Sequence, residues 1–187
     1  MNVVRARTLP ARRLLTAPDG KVIRIPISES APDAFSIIGA LQFVVDQFGR
    51  DPFVRAAALR TVTTHLNNAD HTRDVYTWVV SHMVYIPDPD GAEFIQSPRV
   101  LLDTIQLKGR AFGDCDDHVV LLGSLLNSLG ARSVVAGVKL FNSPLFNHVI
   151  ILLPRPGQEP IVLDPCAKDA PPPKYGEFLV ADGIPLQ

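Results

Sequence analysis

Gly113-Asp114-Cys115-Asp116-Asp117-His118 stands where a loop enters an apolar helix, with Val119, Leu122, Leu125, Leu126 and Leu129 following as a stripe and Gly130 supplying the stop. Asp114 is in position to cap the helix, and Asp117, three residues on, to close a capping box. Cys115 then falls in the first turn, where unpaired N–H groups and the helix dipole favour a thiolate and can hold a developing oxyanion. The neighbouring carboxylates act against the thiolate, so Cys115 needs a cationic partner from elsewhere in the chain. A well-capped helix that happens to carry a cysteine is the competing reading of these six residues.

The downstream sequence changes that balance. Ser133–Leu140, Asn147–Leu153 and Pro160–Leu163 are short, β-branched and separated by turn residues, which predicts three consecutive antiparallel strands. His148 is a lone histidine at the start of the second strand, and Asp164, followed by Pro165, ends the third. Antiparallel neighbours bring the start of one strand beside the end of the next, so His148 and Asp164 meet at one edge of the sheet. A helix packed on that sheet can present Cys115 to the same edge. Cys115 would attack, His148 would move the proton, and Asp164 would fix the imidazole tautomer. Taken singly, a strand histidine or an Asp-Pro turn is more often structural; the three in this order are rarely accidental. For the oxyanion, the amide of Gln96 and the backbone N–H of Cys115 are the candidate donors.

Upstream, Phe35, Ile38, Leu41, Val44, Val45 and Phe48 recur at helical spacing until Gly49. Asp51-Pro52 opens a second helix to about Leu66, and a third starts near Asp70 with Val75, Trp78, Val79 and Met83 on one face, stopping before Pro87. Residues 86–91 are rich in turn formers, and Gln96 to Ile105 leads to a further loop at Lys108-Gly109-Arg110. Residues 1–30 predict an extended arm or an edge added to the main domain, with Val22–Ile27 strand-like and a hairpin to residues 3–15 across Pro18-Asp19-Gly20. Residues 167–187, with Pro171-Pro172-Pro173, predict an extended, wrapping or mobile tail. The fold class is α+β, with the leucine stripe of the Cys115–Leu129 helix set against strands carrying Val134, Val149, Ile151 and Val162.

Gly-Asp-Cys-Asp-Asp before an apolar helix, then Asn-His-Val, then Leu-Asp-Pro, resembles the transglutaminase-like superfamily, whose core is papain-like. Tyr76-Thr77-Trp78-Val79 and Val84-Tyr85 resemble its helical lead-in. The resemblance covers about residues 70–166, within a catalytic domain of residues 31–166, and looks most like the short forms of bacteria and their phages. It implies a triad of Cys115, His148 and Asp164, and thioester chemistry that ends in amide hydrolysis or acyl transfer. A protein or peptide substrate, peptidoglycan included, follows, with no metal and no organic cofactor. The alternative is a phage virion structural or assembly protein that keeps this fold with little catalysis, alongside other phage structural proteins.

The remaining residues carry weaker signals. His118 with Asp114 and Asp117 makes a poor metal set, because one helical turn rarely closes a coordination shell. Cys166 could close a disulfide with Cys115, though an inert thiol is the simpler expectation; His65, His71 and His82 fall on or beside polar helix faces. The chain has 187 residues and a net charge of −1 with no charged block, so neither a nucleic-acid surface nor an anionic-membrane patch is expected. The basic, Pro10-broken stretch Met1–Leu15 does not read as a signal peptide, so synthesis in the cytoplasm, with virion association if phage-encoded, is the expectation.

Overall fold

The computed structural model describes residues 2–6, 15–16, 22–24, 34–62, 68–88, 94–140, 143–167 and 175–181. Three short strands, β1 (Asn2–Ala6), β2 (Leu15–Thr16) and β3 (Val22–Arg24), precede helices α1 (Ala34–Phe48), α2 (Pro52–Thr61) and α3 (Asn68–His82). Strands β4 (Met83–Tyr85) and β5 (Phe94–Gln96), helix α4 (Pro98–Lys108) and strand β6 (Ala111–Gly113) lead into α5 (Cys115–Ser128). Four strands follow: β7 (Val134–Val138), β8 (His148–Arg155), β9 (Gln158–Leu163) and β10 (Glu177–Ala181).

The expected run of antiparallel strands is present. The main sheet has the order β1-β10-β7-β8-β9, with β7, β8 and β9 antiparallel to their neighbours. The register pairs Val138 with His148 and Ile151 with Leu163, which carries the residue after Leu163 back toward the start of β8.

Helix α5 differs from the amphipathic helix that its stripe suggested. Val119, Val120, Leu121, Leu122, Leu125 and Leu126 are each no more than 1% exposed, so the helix is buried on every side. It lies on β8 and is surrounded by α1, α2, α3 and α4. Gly123 permits that close fit, since a Cβ there would come within 3.0 Å of Val45 and 3.1 Å of Ile151. The face of the sheet against α5 carries Val135, Val149 and Ile151. Val134 and Val162 lie instead in a second cluster with Ala136, Ile150, Leu152 and Val180, because side chains alternate across a strand. The expectation was therefore right for Val149 and Ile151 and one residue out of phase for Val134 and Val162.

Other expectations need correction. Residues 177–181 are an interior strand of the main sheet, parallel to β1 and antiparallel to β7, where a tail was expected. Phe178 and Val180 face one cluster and Leu179 and Ala181 the other, so this strand is buried on both faces. The N-terminal segment, by contrast, takes the edge position that was one of the two expected for it: β1 is the edge of the main sheet, and β3 joins β2 to β5. The proposed turn at residues 18–20 lies outside the described residues, as do the triple proline and His65. Helix α2 ends at Thr61, where Val62 turns extended, short of Leu66. Met83 leaves its helix to begin β4, which pairs in parallel with β6. Residues 98–108, expected only as a lead-in to a loop, form α4, with Ser97 accepting from the Val100 N–H and Gly109 closing the helix at φ 76°.

Candidate active site

Asp114 caps α5 as expected: its backbone is extended, and its carboxylate accepts from the Asp116 N–H at 3.0 Å. Cys115 is thereby the first helical residue. Its half-buried side chain lines a cleft of about 220 Å³ with Asp114, Asp116, Tyr85, Phe146 and His148. The backbone N–H of Val149, next to His148 on β8, is among the groups that act on the Cys115 thiol. The thiol itself donates to Asp116 Oδ1 at 3.7 Å.

His148 and Asp164 meet as the strand order anticipates. Nε2 of His148 lies 3.0 Å from Oδ2 of Asp164, and the two residues are 8% and 4% exposed. For that contact to be a hydrogen bond from a neutral ring, the proton sits on Nε2, which leaves Nδ1 as the basic nitrogen. Asp164 takes more donors than a two-member pair supplies. Its Oδ1 accepts from the Cys166 N–H at 3.0 Å, and its Oδ2 also accepts from the Tyr175 hydroxyl at 2.7 Å. The Tyr76 hydroxyl donates to the Asp164 backbone carbonyl at 2.8 Å. Burial alone would raise the Asp164 pKa, but the hydrogen bond and charge of His148, with the Tyr175 hydroxyl and Cys166 N–H, hold it below the ordinary value.

Gln96 does not face the sulfur's chemistry. Its Nε2 donates to the Phe112 carbonyl and to Asp117 Oδ2, both at 2.8 Å, which uses both amide protons. The Gln96 backbone N–H donates to the other Asp117 oxygen at 2.7 Å. Asp117 is therefore a buried clamp on β5, in place of the capping-box member expected of it. Gly113 is required beside it, since a Cβ there would lie 2.1 Å from Asp117 Oδ2. His118, expected at the surface or behind the site, is fully buried with its ring 6.3 Å from that of Tyr85.

Burial pushes the Asp117 pKa from 3.8 to about 7, against the lowering effect of both Gln96 hydrogen bonds. A carboxyl whose folded value lies above its unfolded one keeps its proton longer in the folded state. Stability from this group is therefore lost as pH rises from 3.8 to about 7. Thermal unfolding across that window should show the decline, and Asp117→Asn should flatten it, with an effect on the order of a few kcal/mol.

The Cys115 thiol is raised well above its ordinary pKa, first by burial and then by Asp116, Asp114 and Cys166, while the Val149 N–H pulls the other way. Asp116→Asn removes one opposing charge, lowers the thiol pKa and should raise the neutral-pH rate of Cys115 alkylation severalfold. Among the described residues, two donor sets lie close enough to consider a metal: His148, Asp164 and Cys166, and Asp114, Cys115 and Asp116, each within 4.8 Å. In the first set both Asp164 oxygens already accept from protein donors. In the second, Asp114 is spent on the helix cap.

No family model and no curated protein matches the sequence. Among solved structures, a candidate protease from Parabacteroides distasonis is similar, with a TM-score of 0.50 at 14% identity over 68% of this chain and 26% of that one. A candidate cysteine protease from Cytophaga hutchinsonii gives 0.49 at 17% identity over 78% of this chain and 48% of that one. The chain spans about a quarter of the first protein and about half of the second. The first likeness shows a shared α+β fold.

Cys115 stands at the start of α5, His148 at the start of β8 and Asp164 just after β9. Sequence reasoning missed Tyr175, Asp116 as the thiol's acceptor, and the Val149 N–H. The first had no signal, because it follows a proline run that reads as a tail. The other two depend on how α5 and β8 meet. Among the described residues, no helix is long and apolar enough to cross a membrane.

Proposed function

We propose that the protein is a cysteine-dependent hydrolase or acyl transferase acting on an amide through a thioester on Cys115. The observation that carries the reading is the buried His148–Asp164 hydrogen bond at the cleft that Cys115 also lines. Asp164 holds Nε2 protonated, so Nδ1 is the nitrogen free to take the thiol proton as sulfur attacks the carbonyl. The protonated imidazole then returns that proton to the leaving amine, and water or an amine acceptor releases the acyl group. In this reading, attack by the sulfur and transfer of its proton to Nδ1 are coupled.

The backbone N–H groups at the start of α5 are the oxyanion donors in this reading, since the Gln96 amide is engaged elsewhere. A cleft of about 220 Å³ is small beside the roughly 300–1,000 Å³ of drug-sized ligand sites. That volume suits an acyl group of about one residue, with Tyr85 and Phe146 as apolar walls.

The test is to trap the intermediate. The protein is mixed with activated peptide esters and amides, quenched in acid and analysed by mass spectrometry. A mass increase on Cys115 that hydroxylamine removes, absent from Cys115→Ser, is the expected result. No adduct with any ester, under conditions where the thiol is titratable, would overturn the reading. A non-catalytic structural or assembly role draws on one observation, the burial of the Cys115 thiol beside Asp114 and Asp116. It predicts alkylation of Cys115 no faster than that of an ordinary thiol.

A further inference from the structure

We propose that Tyr175 is a positioning residue for the site, fixing the Asp164 carboxylate so that its Oδ2 lone pair meets His148 Nε2. The inference rests on the reading of Asp164 as third member of the triad, and it adds the C-terminal strand to the working parts of the site.

Asp164 sits in a turn after β9, where a carboxylate held by its own loop alone could rotate. Three side-chain contacts and one main-chain contact oppose that rotation. The Cys166 N–H holds Oδ1 at 3.0 Å, while His148 Nε2 at 3.0 Å and the Tyr175 hydroxyl at 2.7 Å converge on Oδ2. Tyr76 of α3 fixes the backbone beneath by its hydrogen bond to the Asp164 carbonyl.

Tyr175 can direct its hydroxyl because its ring is held independently. The ring packs against the second apolar cluster and meets Phe178 of β10 edge-on, 6.1 Å between centroids at 74°. Strand β10 is in turn fixed between β1 and β7. The tyrosine is a lasting donor: burial, then the hydrogen bond and charge of Asp164, push its pKa well above the ordinary value. Among the described residues, the titratable groups facing the carboxylate are His148 from β8, Tyr76 from α3, Tyr175 from before β10, and Cys166 from the same turn.

The experiment compares the full chain with Tyr175→Phe, which keeps the ring and loses only the hydroxyl. The Asp164 carboxyl is titrated by carbon NMR in a Cys115→Ser background, and the pH profile of kcat and KM is taken in the active background. Loss of one donor to a charged acceptor should raise the Asp164 midpoint by about one pH unit. The acid limb of kcat should move up with it, and KM should stay unchanged. 3-Fluorotyrosine placed at 175 strengthens the donor and should move the midpoint the other way, which covers any folding defect in the phenylalanine variant. A carboxyl titration and profile identical to the parent's in both variants would overturn the proposal while leaving the proposed chemistry intact. A shifted Asp164 midpoint in a protein that never acylates Cys115 would support the tie to Tyr175 and overturn the hydrolase reading instead.

Discussion

Asp164→Asn should lower kcat by about 10³- to 10⁴-fold while leaving the fold and KM nearly unchanged. The reason lies in how the two carboxylate oxygens are divided. One accepts from the Cys166 N–H and the other from His148 Nε2 and the Tyr175 hydroxyl, so all three partners are donors. An asparagine has one oxygen and one NH₂. If its oxygen serves the Cys166 N–H, its NH₂ faces His148 and drives the imidazole to the tautomer protonated on Nδ1. That nitrogen is the one required to take the thiol proton. If the amide is reversed, the NH₂ opposes the Cys166 N–H and the turn is disturbed. The first orientation costs the base and the second the turn that holds it, and steady-state kinetics with a thioester-forming substrate would measure the loss. A fall below tenfold would mean that Asp164 is a structural anchor only.

Leu122→Ala should be the most damaging single truncation for stability. Leu122 is fully buried in the one helix that α1, α2, α3, α4 and β8 all contact, so little can collapse into the space left behind. Deletions of this kind cost about 3–5 kcal/mol, combining lost transfer energy with a residual cavity. For a chain of this size that is roughly a 10 °C fall in melting temperature. Calorimetry of the variant would test it; a shift under about 2 °C would mean that α5 is more loosely packed than its burial implies.

The parts of the molecule that announce themselves in the sequence depend on local chemistry. Asp114 as a cap, the apolar run from Val119 and the β-branched strands follow from propensity and period, and the order of β7, β8 and β9 follows from short connections. The meeting of His148 and Asp164 was legible for the same reason, since adjacent antiparallel strands bring start and end together. Features that depend on distant partners were hidden. β10 reads as the end of a proline-rich tail, although Phe178-Leu179-Val180-Ala181 is an apolar run of strand length. Its place between β1 and β7 is a matter of topology that no local pattern reveals. Gln96 has the right chemistry for an oxyanion donor, yet Asp117, twenty-one positions away, claims it. Helix α4 does carry a local signal, with Ser97 as cap, Pro98 in the first turn and Leu101, Leu102 and Ile105 at helical spacing.

The account depends on His148 acting on the sulfur of Cys115, and the rate of iodoacetamide alkylation at that sulfur tests this most directly. Mass spectrometry at neutral pH would follow Cys115 and Cys166 separately in the parent chain and in His148→Ala. A general base that takes the thiol proton during attack predicts that Cys115 reacts faster than Cys166, and that the alanine variant slows Cys115 by about tenfold or more without slowing Cys166. Equal Cys115 rates in the two proteins would contradict the account.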